Sequence, residues 1–426
     1  MTLVCASITS EKEAVAAVKS NADAIEWRFD LFDRVPDSFA FDKRFINIAA
    51  FKEKLTPGLA RRALDAGASF LDIDENSRAN GIFPKDKVIS SHHDFESTPE
   101  SQEIISIFAR LEKNGLPKAA FTVHDANDLV QIARAAEILK KNGRPFILIG
   151  MGDCGKLTRI CANLLGSMLN YACIEKPTAH GQLRIDEIKP YDYVCAVCGW
   201  PLDYTLSPVI HNAAFKKAGI NGYYLKIPCR PEDANLLPEL MEKYGMSGLN
   251  ITIPLKQAVI PYLKSVTFDA EKTGAVNTIT KDLAGYNTDI CGISEVLDRF
   301  SPAGKKILLI GAGGAARAAA FYCKNAGARL FITNRTMEKA QSLAKEFGGC
   351  AVSPENAGTF DIYINATPAA PAVEIPCGAV YFDMKYGQGA GFGRDMLITQ
   401  AAEAFRIWTN HAADKNAMYK ALEENQ

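Results

Sequence analysis

The sequence lacks an excess of charge of either sign. Among 426 residues, 48 Lys and Arg stand against 49 Asp and Glu. This balance gives no electrostatic reason to expect nucleic acid or an anionic membrane as a partner. Also missing is any run of about 18 apolar residues, the usual signature of a membrane-spanning helix. The N-terminus enters an apolar run at Leu3 with no basic flank ahead of an apolar core, so a cytoplasmic protein is expected. Histidine is scarce, at six, and no His-x-x-x-His occurs, so no structural metal is expected. The eleven cysteines contain one Cys-x-x-Cys, Cys195 to Cys198, inside an apolar run. They read as reduced core residues.

What is present is length enough for two or three domains. A division falls at Val194–Asn212, Val-Cys-Ala-Val-Cys-Gly-Trp-Pro-Leu-Asp-Tyr-Thr-Leu-Ser-Pro-Val-Ile-His-Asn. An apolar strand is broken by Gly199 and Pro201, and Thr205 and Ser207 then precede Pro208, a residue suited to a first helical turn. Two hydroxyls beside free backbone N–H groups can cradle a carboxylate; they can equally be a turn and a helix cap.

Before this division, eight short apolar runs recur: Leu3–Ile8, Ala24–Phe29, Phe45–Ala50, Phe70–Ile73, Val88–Ser91, Ala119–Val123, Phe146–Gly150 and Asn170–Ile174. Amphipathic helical stretches separate several of them (Glu11–Lys19, Pro57–Ala66, Glu100–Lys113, Ala126–Lys141, Lys156–Leu165). The alternation predicts parallel strands closed into a (β/α)8 barrel. The linkers after the second and fourth runs show no helical period, so some barrel helices are expected to be reduced.

In such a barrel chemistry sits where strands end. The period of two puts Glu26 and Arg28 on one face, and a charged pair facing the interior needs partners. His92 and His93 follow the fifth run at a strand end, the place for a general acid or base. Lys118 begins Lys-Ala-Ala-Phe-Thr-Val. Desolvated, it would be a nucleophilic amine for a carbonyl; at a strand end, its ammonium would instead escape to solvent.

After the division, Ser-Gly-Leu-Asn250-Ile-Thr252-Ile-Pro254-Leu-Lys256 alternates apolar with polar, so Asn250 and Thr252 share one strand face. Gly274-Ala-Val-Asn277-Thr278 and Gly285-Tyr-Asn287-Thr288-Asp289 follow. Three Asn/Thr/Asp clusters this close suggest a site for a polyol, whose hydroxyls need paired donors and acceptors. Further on, an apolar strand enters Gly311-Ala-Gly313-Gly314-Ala315-Ala316 and leaves into an Ala-rich helix, and a second strand ends at Asn334-Arg335-Thr336. This is a dinucleotide-binding βαβ pattern. Arg335, where an NAD protein carries an acid, favours NADP.

Several motifs carry resemblances to known families. Glu26-Trp27-Arg28, Ser-x-His93-Asp-Phe-Glu-x-Thr-Pro, Pro117-Lys118-x-Ala120, Met151-Gly152 with Arg159, and Thr178-Ala-His-Gly-Gln182 stand in the order of type I 3-dehydroquinate dehydratases. The resemblance implies Lys118 as the Schiff-base lysine, His93 as general acid/base, and Glu26, Arg28, Arg159, Thr178 and Gln182 as substrate ligands. The family's arginine near strand three is replaced, Lys52 lying nearest. A class I aldolase uses the same lysine logic and is separated only by motif order.

The run from Gly199 to Asn212 resembles the shikimate-binding signature of shikimate dehydrogenases, with Thr205 in place of a serine. That family implies a catalytic pair, Lys256 and Asp289. Substrate ligands would be Thr205, Ser207, Asn250, Thr252, Asn277 and Gln400, and NADP ligands Gly311, Gly313, Gly314, Ala315, Asn334, Arg335, Thr336 and Thr367. A shortened segment, Gly387–Arg394, follows Tyr386.

The resemblances together imply a barrel over 1–187, a shikimate-binding lobe over 188–289, a Rossmann lobe over 290–395, and a C-terminal helical segment over 396–426 returning to the substrate lobe. They imply a lyase and an oxidoreductase on one chain, taking 3-dehydroquinate to 3-dehydroshikimate and then shikimate on the route to chorismate and the aromatic amino acids. The rivals are a quinate dehydrogenase in the second half, suggested by Thr205, and an inactive barrel platform in the first.

Overall fold

The computed structural model describes residues 2–425 apart from 204, 355–357, 372 and 386–390. The chain forms two compact units, Met1–Tyr191 with Glu239–Gly245, and Asp192–Pro238 with Met246–Gln426.

In the first unit all eight expected strands form: β1 Leu3–Ile8, β2 Ala24–Arg28, β3 Ile46–Ala50, β4 Phe70–Asp74, β5 Val88–Asp94, β6 Leu116–Thr122, β7 Ile147–Met151 and β8 Leu169–Cys173. They pair in parallel in the order 7-6-5-4-3-2-1-8, a nearly closed barrel. At the β7–β8 seam Met168 N donates to Phe146 O at 2.7 Å and Leu148 N to Ser167 Oγ at 3.2 Å.

The helices are α1 Glu11–Val18, α2 Pro57–Asp65, α3 Ser101–Leu111, α4 Ala126–Lys141, α5 Gly152–Ile160 and α6 Ala162–Leu165. Their starts follow from caps. Ser10, Thr56 and Asp125 each accept a first-turn backbone N–H, satisfying donors the helix leaves orphaned. Between β2 and β3 no helix forms. Phe29, Phe32, Phe39, Phe41 and Phe51 cover that side of the barrel instead, ring centroids 4.9 to 6.4 Å apart.

Three local expectations are corrected. α5 begins at Gly152, not near Lys156, because Gly155 packs so closely on Gly150 that a Cβ there would lie 2.5 Å from the Gly150 carbonyl carbon. A first turn reading Gly-Asp-Cys-Gly hides such a helix from periodicity. His92 and His93 lie within β5, which continues to pair with β6 as far as Asp94. Lys118 is the third residue of its strand, since pairing starts at Leu116 opposite Ile89.

The second unit holds two sheets. β9 Tyr193–Gly199, β10 Gly222–Pro228, β11 Gly248–Ile251, β12 Ser265–Val266, β13 Thr278–Thr280 and β14 Ala284–Tyr286 order as 10-9-11-13-14-12. β15 Lys306–Ile310, β16 Arg329–Thr333, β17 Cys350–Ala351, β18 Ile362–Asn365 and β19 Val380–Asp383 form a parallel Rossmann-type sheet ordered 17-16-15-18-19. The helices are α7 Ser207–Ala218, α9 Leu255–Ala258, α10 Phe268–Thr273, α11 Asp289–Leu297, α12 Gly314–Asn325, α13 Met337–Phe347, α14 Gly391–Thr409 and α15 Lys415–Glu424, while α8 Leu237–Lys243 belongs to the first unit from Glu239 onward. Leu397, Phe405 and Trp408 of α14 share a core with Val197, Ile210 and Phe215 of the first sheet and α7. Tyr386 and Gly387–Ala390 lie outside the described residues, while Gly391–Arg394 is the first turn of α14. No helix among the described residues is long and apolar enough to cross a membrane.

Candidate active sites

The barrel encloses a cavity of about 230 Å³, below the roughly 300–1,000 Å³ of drug-sized sites and suited to a small polar metabolite. All seven residues singled out in this half line it: Glu26, Arg28, His93, Lys118, Arg159, Thr178 and Gln182. The period of two turns Glu26, Arg28, His93 and Lys118 inward from β2, β5 and β6, while Arg159 comes from α5 and Thr178 and Gln182 from the segment after β8.

Lys118 is 5 % exposed, so the reading of an ammonium escaping to solvent does not hold. Its Nζ lies 2.6 Å from Asp72 Oδ2, 3.3 Å from Glu26 Oε1 and 4.1 Å from the Tyr171 ring centroid. Burial pushes its pKa down, but Asp72 and Glu26 outweigh it and hold the amine above the ordinary lysine range. The resting side chain is therefore an ammonium, contrary to a simple desolvation account. Asp72 is kept well below the carboxylate range, Lys118 and Lys52 overcoming its burial.

His93 takes its place on β5 opposite Ala120 of β6. Its Nδ1 is 3.8 Å from Asp74 Oδ2 and its ring stacks on Phe95. Burial lowers its pKa, with Lys52 and Lys118 adding to the effect and Asp74 opposing it. At neutral pH it is an uncharged imidazole able to accept a proton. His92 points to the other face and bonds Glu75.

A polar chain lines one wall. Thr178 N and Oγ1 donate to Gln182 Oε1 at 2.6 and 3.0 Å, Gln182 Nε2 to Ser7 Oγ at 3.2 Å, and Ser7 Oγ to Glu26 Oε2 at 2.7 Å. Arg28 is fixed by a bidentate pair to Asp30, at 2.9 and 2.7 Å. Arg159, on α5, is buried with one bond, Nη1 to Tyr171 O at 2.8 Å, and its Nε has no partner. Burial pushes its pKa down to about 10. A guanidinium so placed is able to pair with an anion.

Sequence reading missed Ser7, Asp72 and Asp74. The signal was present in Leu71-Asp72-Ile73-Asp74, where two acids alternate with apolar residues within a strand. It also left Lys52 unplaced; Lys52 lines the cavity and its Nζ is 3.4 Å from Asp72 Oδ1.

In the second unit Lys256 Nζ meets Asp289 Oδ2 at 2.5 Å. α9 supplies the lysine and the first residue of α11 the aspartate. Asn277 Nδ2 donates to Asp289 Oδ1 and to Thr288 Oγ1, each at 2.9 Å. Gln400, from α14, brings its Oε1 within 3.5 Å of the same amide nitrogen. Asn250 commits both N–H groups, to Asn277 O and Thr278 Oγ1, and accepts from Tyr224 Oη at 2.7 Å. Tyr224, which the sequence reading passed over, thus orients it. Thr205 Oγ1 accepts from Ser207 N at 3.3 Å, a turn closing onto α7. Thr252 packs its methyl against Gly199, where a Cβ would lie 2.4 Å away. His211, buried against Tyr224 with ring centroids 4.3 Å apart, is pushed down to about 3 by burial and is neutral.

For the dinucleotide, Gly311 has φ +116° and a Cβ there would lie 2.9 Å from Thr367 Cγ2, so glycine is required. Gly313 opens on free space, and no side chain caps α12, so the first-turn amides of Gly314 and Ala315 face outward for a pyrophosphate. Thr367 donates from its backbone N and Oγ1 to Asn365 Oδ1 at 3.1 and 2.8 Å. Asn334 Nδ2 donates to Thr336 O at 3.0 Å, leaving Arg335 and Thr336 exposed at the end of β16. The residues present fit an NADP group. Among the described residues no three His, Cys, Asp or Glu are placed to hold a metal ion.

Family models match four stretches: type I 3-dehydroquinase over 48–193, shikimate dehydrogenase substrate binding domain over 197–279, shikimate / quinate 5-dehydrogenase over 294–373, and shikimate 5'-dehydrogenase C-terminal domain over 393–423. The shikimate dehydrogenase (NADP(+)) of Methanothermobacter thermautotrophicus is 34 % identical over 54 % of this chain and 95 % of its own. The chain belongs to the shikimate dehydrogenase family, with a type I 3-dehydroquinase as its first unit. The Arabidopsis thaliana chloroplastic bifunctional 3-dehydroquinate dehydratase/shikimate dehydrogenase is similar across both units, 29 % identical over 85 % of this chain and 71 % of its own. Among solved structures, the shikimate dehydrogenase of Thermus thermophilus in complex with NADP(H) and shikimate superposes with TM-score 0.50 at 32 % identity, covering 55 % of this chain and all of that one.

Proposed function

We propose that Lys118 forms an imine with 3-dehydroquinate and that His93 moves the protons of its dehydration to 3-dehydroshikimate. Lys256 and Asp289 then serve the NADPH-dependent reduction to shikimate. The chain is a bifunctional lyase and oxidoreductase of the shikimate pathway. The observation that carries the assignment is Lys118 buried in the lining of the barrel cavity, one strand from a neutral His93.

The protonated imine draws electrons from the adjacent carbon, so a neutral imidazole can remove its proton. The same imidazolium then protonates the departing hydroxyl. Arg159 and Arg28 meet the carboxylate, while Glu26, Thr178 and Gln182 bind ring hydroxyls. In the second unit bound NADPH supplies the hydride. Lys256 donates the proton to the developing alkoxide, and Asp289 holds that ammonium in place. Thr205 and Ser207 bind the substrate carboxylate, and Asn250, Thr252, Asn277 and Gln400 its hydroxyls. Gly311, Gly313, Gly314 and Ala315 cradle the pyrophosphate, Asn334, Arg335 and Thr336 take the 2′-phosphate, and Thr367 lies on the nicotinamide side.

Functionally the chain divides at 1–187, 188–289, 290–395 and 396–426. A cytoplasmic location is part of this reading, supported by eleven cysteines that stand outside any disulfide, eight of them buried; nucleic acid has no place in it, given a net charge of −1. Borohydride added with 3-dehydroquinate is expected to fix substrate carbon on Lys118, read by peptide mass spectrometry. Labelling elsewhere, or none in an active enzyme, removes the imine.

A further inference from the structure

We propose that Asp72 is the counter-ion of the Lys118 imine, a positioning residue that pairs with the ammonium at rest and with the protonated imine after the carbonyl has condensed. The inference rests on the imine reading above.

Asp72 belongs to β4 and its side chain has no exposure. It does not line the cavity, so it reaches substrate only through its partners. Its Oδ2 is 2.6 Å from Lys118 Nζ, while Oδ1 accepts from Ser91 Oγ at 2.6 Å and faces Lys52 Nζ at 3.4 Å. A carboxylate this buried stays ionised only beside fixed cations. Glu26 is the weaker rival. It lines the cavity, stands 3.3 Å from Nζ and gives its other oxygen to Ser7.

The proton balance suits one fixed anion. An ammonium and a ketone give a protonated imine and water. The carbon–oxygen bond breaks, a carbon–nitrogen bond forms, two ammonium protons leave on the oxygen, and one stays on nitrogen. The nitrogen is cationic before and after, so a carboxylate within hydrogen-bond reach stabilises both states. The other groups facing Lys118 are Cys5 of β1, Glu26 of β2, Lys52 after β3, His93 of β5 and Tyr171 of β8. Of these only Glu26 is a second anion.

The test uses the full chain with Asp72→Asn, nearly the same size and still able to bond Ser91. Without its counter-ion Lys118 loses its proton more readily. Carbamoylation of Lys118 by cyanate at pH 7, read by mass spectrometry, is therefore expected to quicken at least about tenfold, equivalent to one pH unit. Dehydratase kcat is expected to fall at least about tenfold, because the imine is less often protonated. Reduction of 3-dehydroshikimate by the second unit is expected to stay at wild-type rate. A purely structural loss would lower kcat without quickening carbamoylation, and that result, like an unchanged kcat, overturns the inference. If Asp72→Asn fails to fold, the wild-type ¹³Cε resonance of Lys118 decides. It is expected to titrate above the ordinary lysine range, and titration at or below that range overturns the proposal. Absent borohydride labelling in wild type would remove the imine reading itself. Labelling together with an indifferent Asp72→Asn would remove this inference alone.

Discussion

Arg159→Met is expected to stabilise the free barrel and weaken its grip on 3-dehydroquinate. Arg159 sits in α5 with 4 % of its surface exposed and, among the described residues, forms no ion pair with a carboxylate. Burial depresses its pKa to about 10, against an ordinary guanidinium value of about 12.5. At about 1.4 kcal/mol per pH unit, the charged form costs the free fold about 3 kcal/mol. Methionine keeps the apolar stem and removes the charge. The Tyr171 carbonyl loses a donor, which offsets about 1 kcal/mol, but the residue keeps its place opposite Cys5 in the β1–β8 ladder. The ligand-free unit should therefore gain about 2 kcal/mol, a rise of several degrees in its thermal transition at about 2–4 °C per kcal/mol. With substrate present the sign reverses. Losing a charge-assisted bond of about 1.5–3 kcal/mol should raise KM for 3-dehydroquinate by about 10- to 150-fold. The assay is thermal unfolding of the full chain with and without ligand, beside dehydratase kinetics. A variant less stable than wild type without ligand, or an unchanged KM, refutes the reasoning.

Arg335→Ala should raise KM for NADPH about 10- to 150-fold while leaving that for NADH nearly unchanged, as expected for one charge-assisted contact to a 2′-phosphate; equal effects would make Arg335 structural. The dehydratase pH profile should keep its acid limb below the ordinary histidine value of about 6.5. His93 works as the neutral base, burial lowers its pKa, and activity is lost only as pH falls through that lowered value. An acid limb above about 6.5 would mean another group titrates.

The barrel was legible because each strand is a short apolar run with turn residues around it, a signal that survives without neighbours in view. Its cavity was legible because period two places Glu26 with Arg28, and because Lys118 interrupts an apolar strand. Asp72 was not read, although it alternates with apolar residues in the same way, because its meaning depends on a lysine 46 positions away. The protonation of Lys118 stayed hidden for the same reason: desolvation can be guessed from apolar neighbours in sequence, whereas two carboxylates from β2 and β4 cannot. In the second unit the glycines of β15–α12 announced themselves through a backbone requirement, φ +116° at Gly311. Tyr224 did not, since only the pairing of β9 with both β10 and β11 brings its hydroxyl to Asn250.

The most direct test of two consecutive activities on one chain is NADPH consumption by Lys118→Ala, offered each substrate in turn. Without the amine no imine forms, so 3-dehydroquinate should leave NADPH untouched. With 3-dehydroshikimate the variant should oxidise NADPH at the wild-type rate, because Lys256 and Asp289 belong to the other unit and share no bonding partner with Lys118. Sustained NADPH consumption on 3-dehydroquinate by Lys118→Ala would show direct reduction to quinate, and the assignment of the second unit to shikimate would be contradicted.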